Sequence, residues 1–291
     1  MRFQRSFIYL SFLAVLLSPL MALSKPRVIV SIPPQKTFIE ALVGNAVEIQ
    51  VLLQPGQNPT NFTLSPRQLG QLSEAKAYFS VGAPMEDFIL PRIESNYPDI
   101  RIIDTSAGIR KRSLEDHSHD GDHHEHAHSH VADPHVWLSP GLVKIQLRHY
   151  SRTLKELLPD LDSDIDQKAS QFLSEVDLVD KELADQLKGL KGTTIFVYHP
   201  AFGYFLDRYG LRQETVEIRG KQPSPQQIKR LIEHAKEEQV QVIFVQPQFR
   251  RHSAQALAKA IGGTVEIINP LAENYLDNLR HMGETIAKSY R

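Results

Sequence analysis

The chain of 291 residues contains no cysteine. That removes thiolate chemistry, disulfides and cysteine-type zinc sites, and leaves histidine and the carboxylates as its strong metal ligands. A surplus of charge is missing as well. With 33 Lys and Arg against 34 Asp and Glu the formal net charge is −1, which argues against a nucleic-acid binder. There is no His-Glu-x-x-His helix, no nucleophile elbow and no phosphate loop, the local signatures of metal-dependent, serine and nucleotide hydrolases. Past residue 24 no apolar run is long enough to suggest a membrane span.

The apolar run that does occur lies at the start. Arg2 and Arg5 precede Phe7–Leu17, and small residues follow at Ala22 and Ser24. This pattern predicts a secretory signal peptide over 1–24, cleaved near Ser24–Lys25, and a mature chain exported to the periplasm. An N-terminal membrane anchor is the alternative, although the run is short of the ~20 residues a span requires. With no cysteine after it, a lipid anchor is not expected.

The length exceeds what one core usually serves, so two lobes are expected. Strand-like runs at Val28–Ile32, Val47–Leu53, Tyr78–Val81 and Ile100–Asp104 alternate with helical patterns at Gln35–Val43, Pro66–Ala75 and Met85–Ile93. The rhythm restarts with strands at Thr194–Tyr198, Glu214–Ile218, Val240–Val245 and Val265–Ile268. Between and after them come helices at Ala201–Tyr209, Pro223–Glu238, Ser253–Ile261 and Glu273–Ser289. Such alternation predicts α/β lobes with parallel sheets. Between them Ser163–Leu190 repeats Ile165, Ala169, Phe172, Leu173, Val176, Leu183 and Leu187 at helical spacing with no Pro, and no Gly before Gly189. The expected organisation is an N-terminal lobe over 25–160, one long linking helix over 161–191 and a C-terminal lobe over 192–291.

Seven of the thirteen histidines fall in 116–130: His117, His119, His123, His124, His126, His128 and His130, interleaved with Asp116, Asp120, Asp122 and Glu125. The segment has too little apolar surface to fold by itself and is expected to be a loop. Clustered imidazoles bind Zn²⁺, Ni²⁺ or Cu²⁺, so the tract points to metal contact without specifying a fixed site.

Three further places could supply ligands. His135 stands in Asp133-Pro-His-Val-Trp-Leu-Ser-Pro140, just before a helix start marked by Ser139 and Pro140. His199 closes a buried strand and opens a helix, where open α/β sheets place ligand groups. Glu273 is read as the start of the last helix. Taken singly each has an ordinary structural reading. His149, His234, His252 and His281 are read as solvent-facing helix positions, and Phe202, Tyr204, Phe205 and Tyr209 as core.

Together these motifs resemble the zinc/manganese-type solute-binding proteins of ABC importers, the zinc-uptake binding proteins. The likeness runs through Pro55-Gly-Gln-Asn-Pro59, the stretch around His135, His199-Pro-Ala-Phe-Gly-Tyr-Phe205, Ile243-Phe-Val-Gln-Pro-Gln-Phe249 and Pro270-Leu-Ala-Glu-Asn-Tyr-Leu276, across essentially the whole mature chain. It implies two Rossmann-like lobes joined by a rigid helix and a metal cleft between them. It further implies His135, His199 and Glu273 as metal ligands, an ABC permease as partner, and a monomer without enzymatic turnover. The imidazole at His199 favours zinc, because manganese-type members often carry a carboxylate there; manganese or iron is the alternative cargo. The chain departs from the family where a first-lobe histidine is usual, at Thr60 or Gln57. Gln57 and Asn61 are then candidate weak oxygen donors, and a tract histidine could supply the missing ligand. The other readings are a metal-dependent hydrolase, a free-standing metal buffer and an adhesin.

Overall fold

Short apolar runs separated by amphipathic segments form two parallel sheets of four strands each, flanked by helices. The computed structural model describes residues 25–114, 132–217, 224–249 and 252–290. The expected leader 1–24 and all seven tract histidines lie outside the described residues.

The first sheet takes the order β2-β1-β3-β4, from Glu48–Val51, Arg27–Val30, Ala75–Ser80 and Arg101–Asp104. The second repeats that order as β6-β5-β7-β8, from Arg212–Thr215, Thr194–Val197, Val242–Val245 and Thr264–Ile267. In each sheet the strand that comes first in the sequence is central, with crossovers running out to both sides. The ends of β1 and β5 are therefore the natural places for a ligand in a doubly wound sheet. The inner strands are apolar on both faces, as a sheet covered by helices requires: Val28, Ile29, Val30, Phe196, Val197, Ile243 and Phe244 are fully buried.

Helix α1 (Pro33–Val43) starts directly after β1. Pro33 fixes its first turn, and the Gln35 side chain accepts the backbone N–H of Ser31 at 2.9 Å and of Ile32 at 3.0 Å. Helix α2 (Pro66–Leu72) is capped by Ser65 and Gln68 and ends three residues before the expected Ala75, which begins β3 instead. Helix α3 covers Glu86–Asn96. An amphipathic helix follows, α4 (Pro140–Leu157), whose start was expected but whose length was not. Its Val143, Leu147, Tyr150 and Leu154 are buried at helical spacing. Through a 3₁₀ turn at Pro159–Leu161 it doubles back into α5 (Asp162–Leu187), the long linking helix, which a further 3₁₀ turn carries to Leu190.

The second lobe adds α6 (Gly203–Arg208), α7 (Pro225–Glu237), α8 (His252–Ile261) and α9 (Tyr275–Ser289). Strand β6 begins two residues before the expected Glu214, because it pairs from Arg212 opposite Thr194. Helix α9 begins at Tyr275, so Glu273 precedes the last helix; Asn274 holds the cap position and donates to Asp277 at 2.7 Å.

The final helix crosses back onto α5, and Tyr275 packs edge-on against Phe38 of α1 with ring centroids 4.8 Å apart. One large core thus runs from the first sheet through α5 and α9 into the second lobe, beside a smaller cluster around Phe196, Ile243 and Leu257. Helix α6 is tied to α5 as well: Asp180, buried on α5, is bridged by Arg208 and accepts from the Tyr209 hydroxyl at 3.1 Å. At the α5–α9 crossing, Gly283 leaves no room for a side chain, since a Cβ there would stand 2.2 Å from Leu183 Cδ2. Gly283→Val is expected to cost about 1–3 kcal/mol by overpacking, read as a lowered urea midpoint with an unchanged slope. Among the described residues no helix is long and apolar enough to cross a membrane.

Candidate metal centre

The end of β5 is built by its two neighbours. Val197 stands opposite Thr215 of β6 and Phe244 of β7, so two residues further on His199 lies between Glu217 and Gln246. The contacts follow that register. His199 Nδ1 is 3.2 Å from Glu217 Oε2. Gln246 clasps the His199 backbone, accepting its N–H at 3.3 Å and donating to its carbonyl at 2.7 Å. Phe249 stacks on the imidazole with centroids 5.0 Å apart and planes inclined by 24°. The Glu217 carboxylate is buried, and its backbone N–H is fixed to the Tyr198 carbonyl at 2.9 Å.

His135 comes from outside both sheets. It precedes the 3₁₀ turn Val136–Leu138, which Trp137 anchors by donating to the Pro270 carbonyl at 2.8 Å. Asp133 turns the chain at this point: its Oδ1 accepts the His135 backbone N–H at 2.9 Å and lies 2.7 Å from Nδ1 of the ring. Asp133 is held in turn across the cleft. The Tyr204 hydroxyl accepts from the Arg112 backbone N–H at 2.9 Å and donates to the Asp133 carbonyl at 3.1 Å, while Arg112 lies 3.8 Å from Asp133 and 3.5 Å from Asp207. Gly203 gives the guanidinium its space, since a Cβ at that position would overlap it.

The two imidazoles meet edge to face, with centroids 5.6 Å apart and planes at 76°. Each has a buried carboxylate at Nδ1, the contact through which a neutral imidazole can be held with Nε2 as its donor atom. Burial pushes the His135 pKa below its ordinary value, with the Asp133 carboxylate opposing. The ring is therefore neutral at neutral pH, the form that coordinates. Two imidazoles backed by carboxylates suit zinc better than manganese, which prefers oxygen donors.

The structure brings together His135 and His199 but does not gather the remaining candidates around them. Among the described residues no group of three or more His, Asp or Glu is placed to hold a metal ion. Glu273 forms an ion pair with Lys36 of α1, and its carbonyl accepts from Thr37. It lines a cavity of about 600 Å³ between the lobes, together with Pro55, Gly56, Gln248 and Asn269. Gln57 is exposed and accepts from the Gln54 backbone N–H at 2.9 Å; Asn61 is exposed at the end of the 3₁₀ turn Pro59–Asn61. Of the histidines read as solvent-facing, His252 and His281 are exposed, whereas His149 and His234 are half-buried. His149 packs over the Ala107 carbonyl at 3.0 Å and His234 lies edge-on to Phe196, contacts that helix periodicity alone does not reveal.

Asp133 and Glu217 were not singled out from the sequence. Asp133 had a visible signal, an acid two residues before a candidate ligand. Glu217 had none without the β5–β6 register.

Comparison with known proteins agrees with this fold. Residues 28–289 match the family described as ZnuA, zinc-uptake complex component A, periplasmic. A crystal structure of ZnuA superposes with a TM-score of 0.85 at 35% identity, covering 92% of this chain and 100% of that one. The high-affinity zinc uptake system protein ZnuA of Yersinia pestis is 27% identical over 279 residues, 89% of this chain and 87% of that protein. The zinc-binding lipoprotein AdcA of Streptococcus pneumoniae is 24% identical over 282 residues; these are 90% of this chain, which spans only 56% of AdcA.

Proposed function

The chain belongs to the family of periplasmic zinc-uptake component A proteins, and from that premise we propose that it captures a zinc ion in the cleft and delivers it to an ABC permease. Members of this family are solute-binding proteins of transport systems, and zinc is the cargo named for the relatives above. The observation that carries the proposal is the facing pair His135 and His199, each with its Nδ1 engaged by a buried carboxylate.

His135 and His199 are the nitrogen ligands. Glu273 is the carboxylate ligand, and must exchange Lys36 for the metal when it binds. Gln57, Asn61, a tract histidine or water fills the fourth position, since zinc is usually four-coordinate. The mature protein acts as a monomer in the periplasm after loss of residues 1–24, and carries out no turnover. Release follows when the permease draws the two imidazoles apart: His135 and His199 sit on different segments, so a small displacement breaks the pair without unfolding either lobe.

Metal stoichiometry of the mature protein, with residues 116–130 present and deleted, tests this under zinc–manganese competition. The expected result is one tightly held zinc in the deleted form, with manganese unable to displace it. Absence of tight zinc after deletion would move the binding function to the tract.

A further inference from the structure

Three devices hold His199, and each acts on a different part of it. Gln246 fixes the backbone on both sides of the peptide, Phe249 covers one face of the ring, and Glu217 meets Nδ1. The first two set where the ring lies. Neither determines which nitrogen carries the proton, because a backbone clasp and a stacked ring are indifferent to the tautomer. Of the three, and among the described residues, only Glu217 acts on that choice.

We propose that Glu217 is the positioning residue of the metal centre: its carboxylate holds His199 in the Nδ1–H tautomer and so presents Nε2 to the metal. The inference rests on the reading of His199 as a ligand. The geometry favours a positioning role over direct ligation. The carboxylate oxygen lies 3.2 Å from Nδ1, a hydrogen-bonding separation, and the side chain is 5% exposed. The arrangement has a counterpart at His135, where Asp133 meets Nδ1 at 2.7 Å with 1% of its side chain exposed. The two carboxylates arrive by unrelated routes. Asp133 is two residues from its histidine, whereas Glu217 is carried in at the end of a neighbouring strand. That both routes end on Nδ1 is what a pair of matched Nε2 donors requires. A carboxylate accepting from the distal N–H also raises the basicity of the coordinating nitrogen, so its removal weakens zinc without removing a ligand.

The test combines zinc affinity with the ring's tautomer, read in the metal-free protein from two-bond ¹⁵N–¹H correlations of His199 at about pH 8, above the ordinary imidazole pKa. Wild type is expected in the Nδ1–H form. Glu217→Ala is expected to lose that preference and to bind zinc roughly 10–100-fold more weakly. Glu217→Gln retains an acceptor oxygen and is expected to keep the tautomer, with a smaller loss of affinity than the alanine variant. It also serves as the folded control if the alanine variant fails to fold. An unchanged tautomer and affinity in Glu217→Ala would overturn the proposal. So would an equal, complete loss of zinc in both variants and in His199→Ala, which would make Glu217 a ligand. If His199→Ala binds zinc as well as wild type, the functional reading fails, while the tautomer measurement still decides what Glu217 does to the ring.

Discussion

His135→Ala and His199→Ala should each weaken zinc binding by roughly 100–1,000-fold, while leaving the fold intact. The size follows from dividing the ~10–16 kcal/mol typical of a four-ligand structural zinc site into about 2.5–4 kcal/mol per ligand, at ~1.4 kcal/mol per tenfold. The two variants should differ in their side effects. His135 is nearly enclosed and pinned by Asp133, so its removal leaves a buried carboxylate facing a cavity and should also lower thermal stability. His199 is more open to solvent, with 23% of its side chain exposed, so its loss, which strands the buried Glu217 carboxylate beside a wetter site, should cost less stability than that of His135. The double variant should depart from the sum of the two single losses if the two rings grip one ion, because groups that share a partner are coupled. Two zinc ions in the wild type, with one lost in each single variant, would mean two independent sites. Competition titration against a chromophoric chelator, with calorimetric melting of the metal-free proteins, separates these outcomes.

The α/β class, the two-lobe rhythm and the linking helix were legible because they rest on local periodicity. Ile165, Phe172, Val176, Leu183 and Leu187, expected on one face of α5, are all buried, while Ala169 and Leu173 sit at its margin. Element ends were less legible: β6 took its start from its partner β5, and Ala75 joined β3 although the preceding run reads as helix. The length of α4 could have been found from Val143, Leu147, Tyr150 and Leu154, whose spacing is as regular as that of α5.

For the metal centre, sequence reasoning found the imidazoles but not what orients them. His135 and His199 stand 64 positions apart in number and meet ring to ring only because the 3₁₀ turn at Val136–Leu138 is docked on Pro270 and the β5 end is pinned by Gln246. Glu217 and Gln246 are invisible as a unit without the parallel register that sets them on either side of His199. The ion pair of Glu273 with Lys36 likewise depends on how the two lobes pack together, and nothing near either residue in the sequence announces it.

The first lobe contains a second buried carboxylate with no place in the metal centre, and its loss is expected to have the largest effect on stability. Glu86 opens α3 and turns back under the end of β1 with 3% of its surface exposed. Its carboxylate accepts from the Ser31 hydroxyl, from Val81 N–H at 3.0 Å and from Gly82 N–H at 2.7 Å, and Tyr78 OH lies 2.7 Å from the same serine oxygen. Burial pushes its pKa above the ordinary carboxylate value, and the three donors pull it back. Glu86→Ala removes the acceptor and strands these donors, at about 1–3 kcal/mol for each one left buried and unpaired, offset by relief of the buried charge. A net loss of about 3–5 kcal/mol is expected, a large part of the ~5–15 kcal/mol that holds a typical domain together. Glu86→Gln keeps one acceptor oxygen, and Ser31 can turn its hydroxyl toward Tyr78, so a much smaller loss is expected. The two variants also separate charge from hydrogen bonding through pH. Because the folded pKa is raised, the folded protein holds a proton that the unfolded chain has already released between the ordinary carboxyl pKa and the folded value. The stability that Glu86 contributes is therefore complete below the ordinary value and declines as pH rises through the folded one. Plotted against pH, the stability of wild type relative to Glu86→Gln should fall across that window and flatten above it. A difference that stays level with pH would mean that the carboxylate is as well solvated inside the lobe as in water, and that its three donors fully replace the water it gave up.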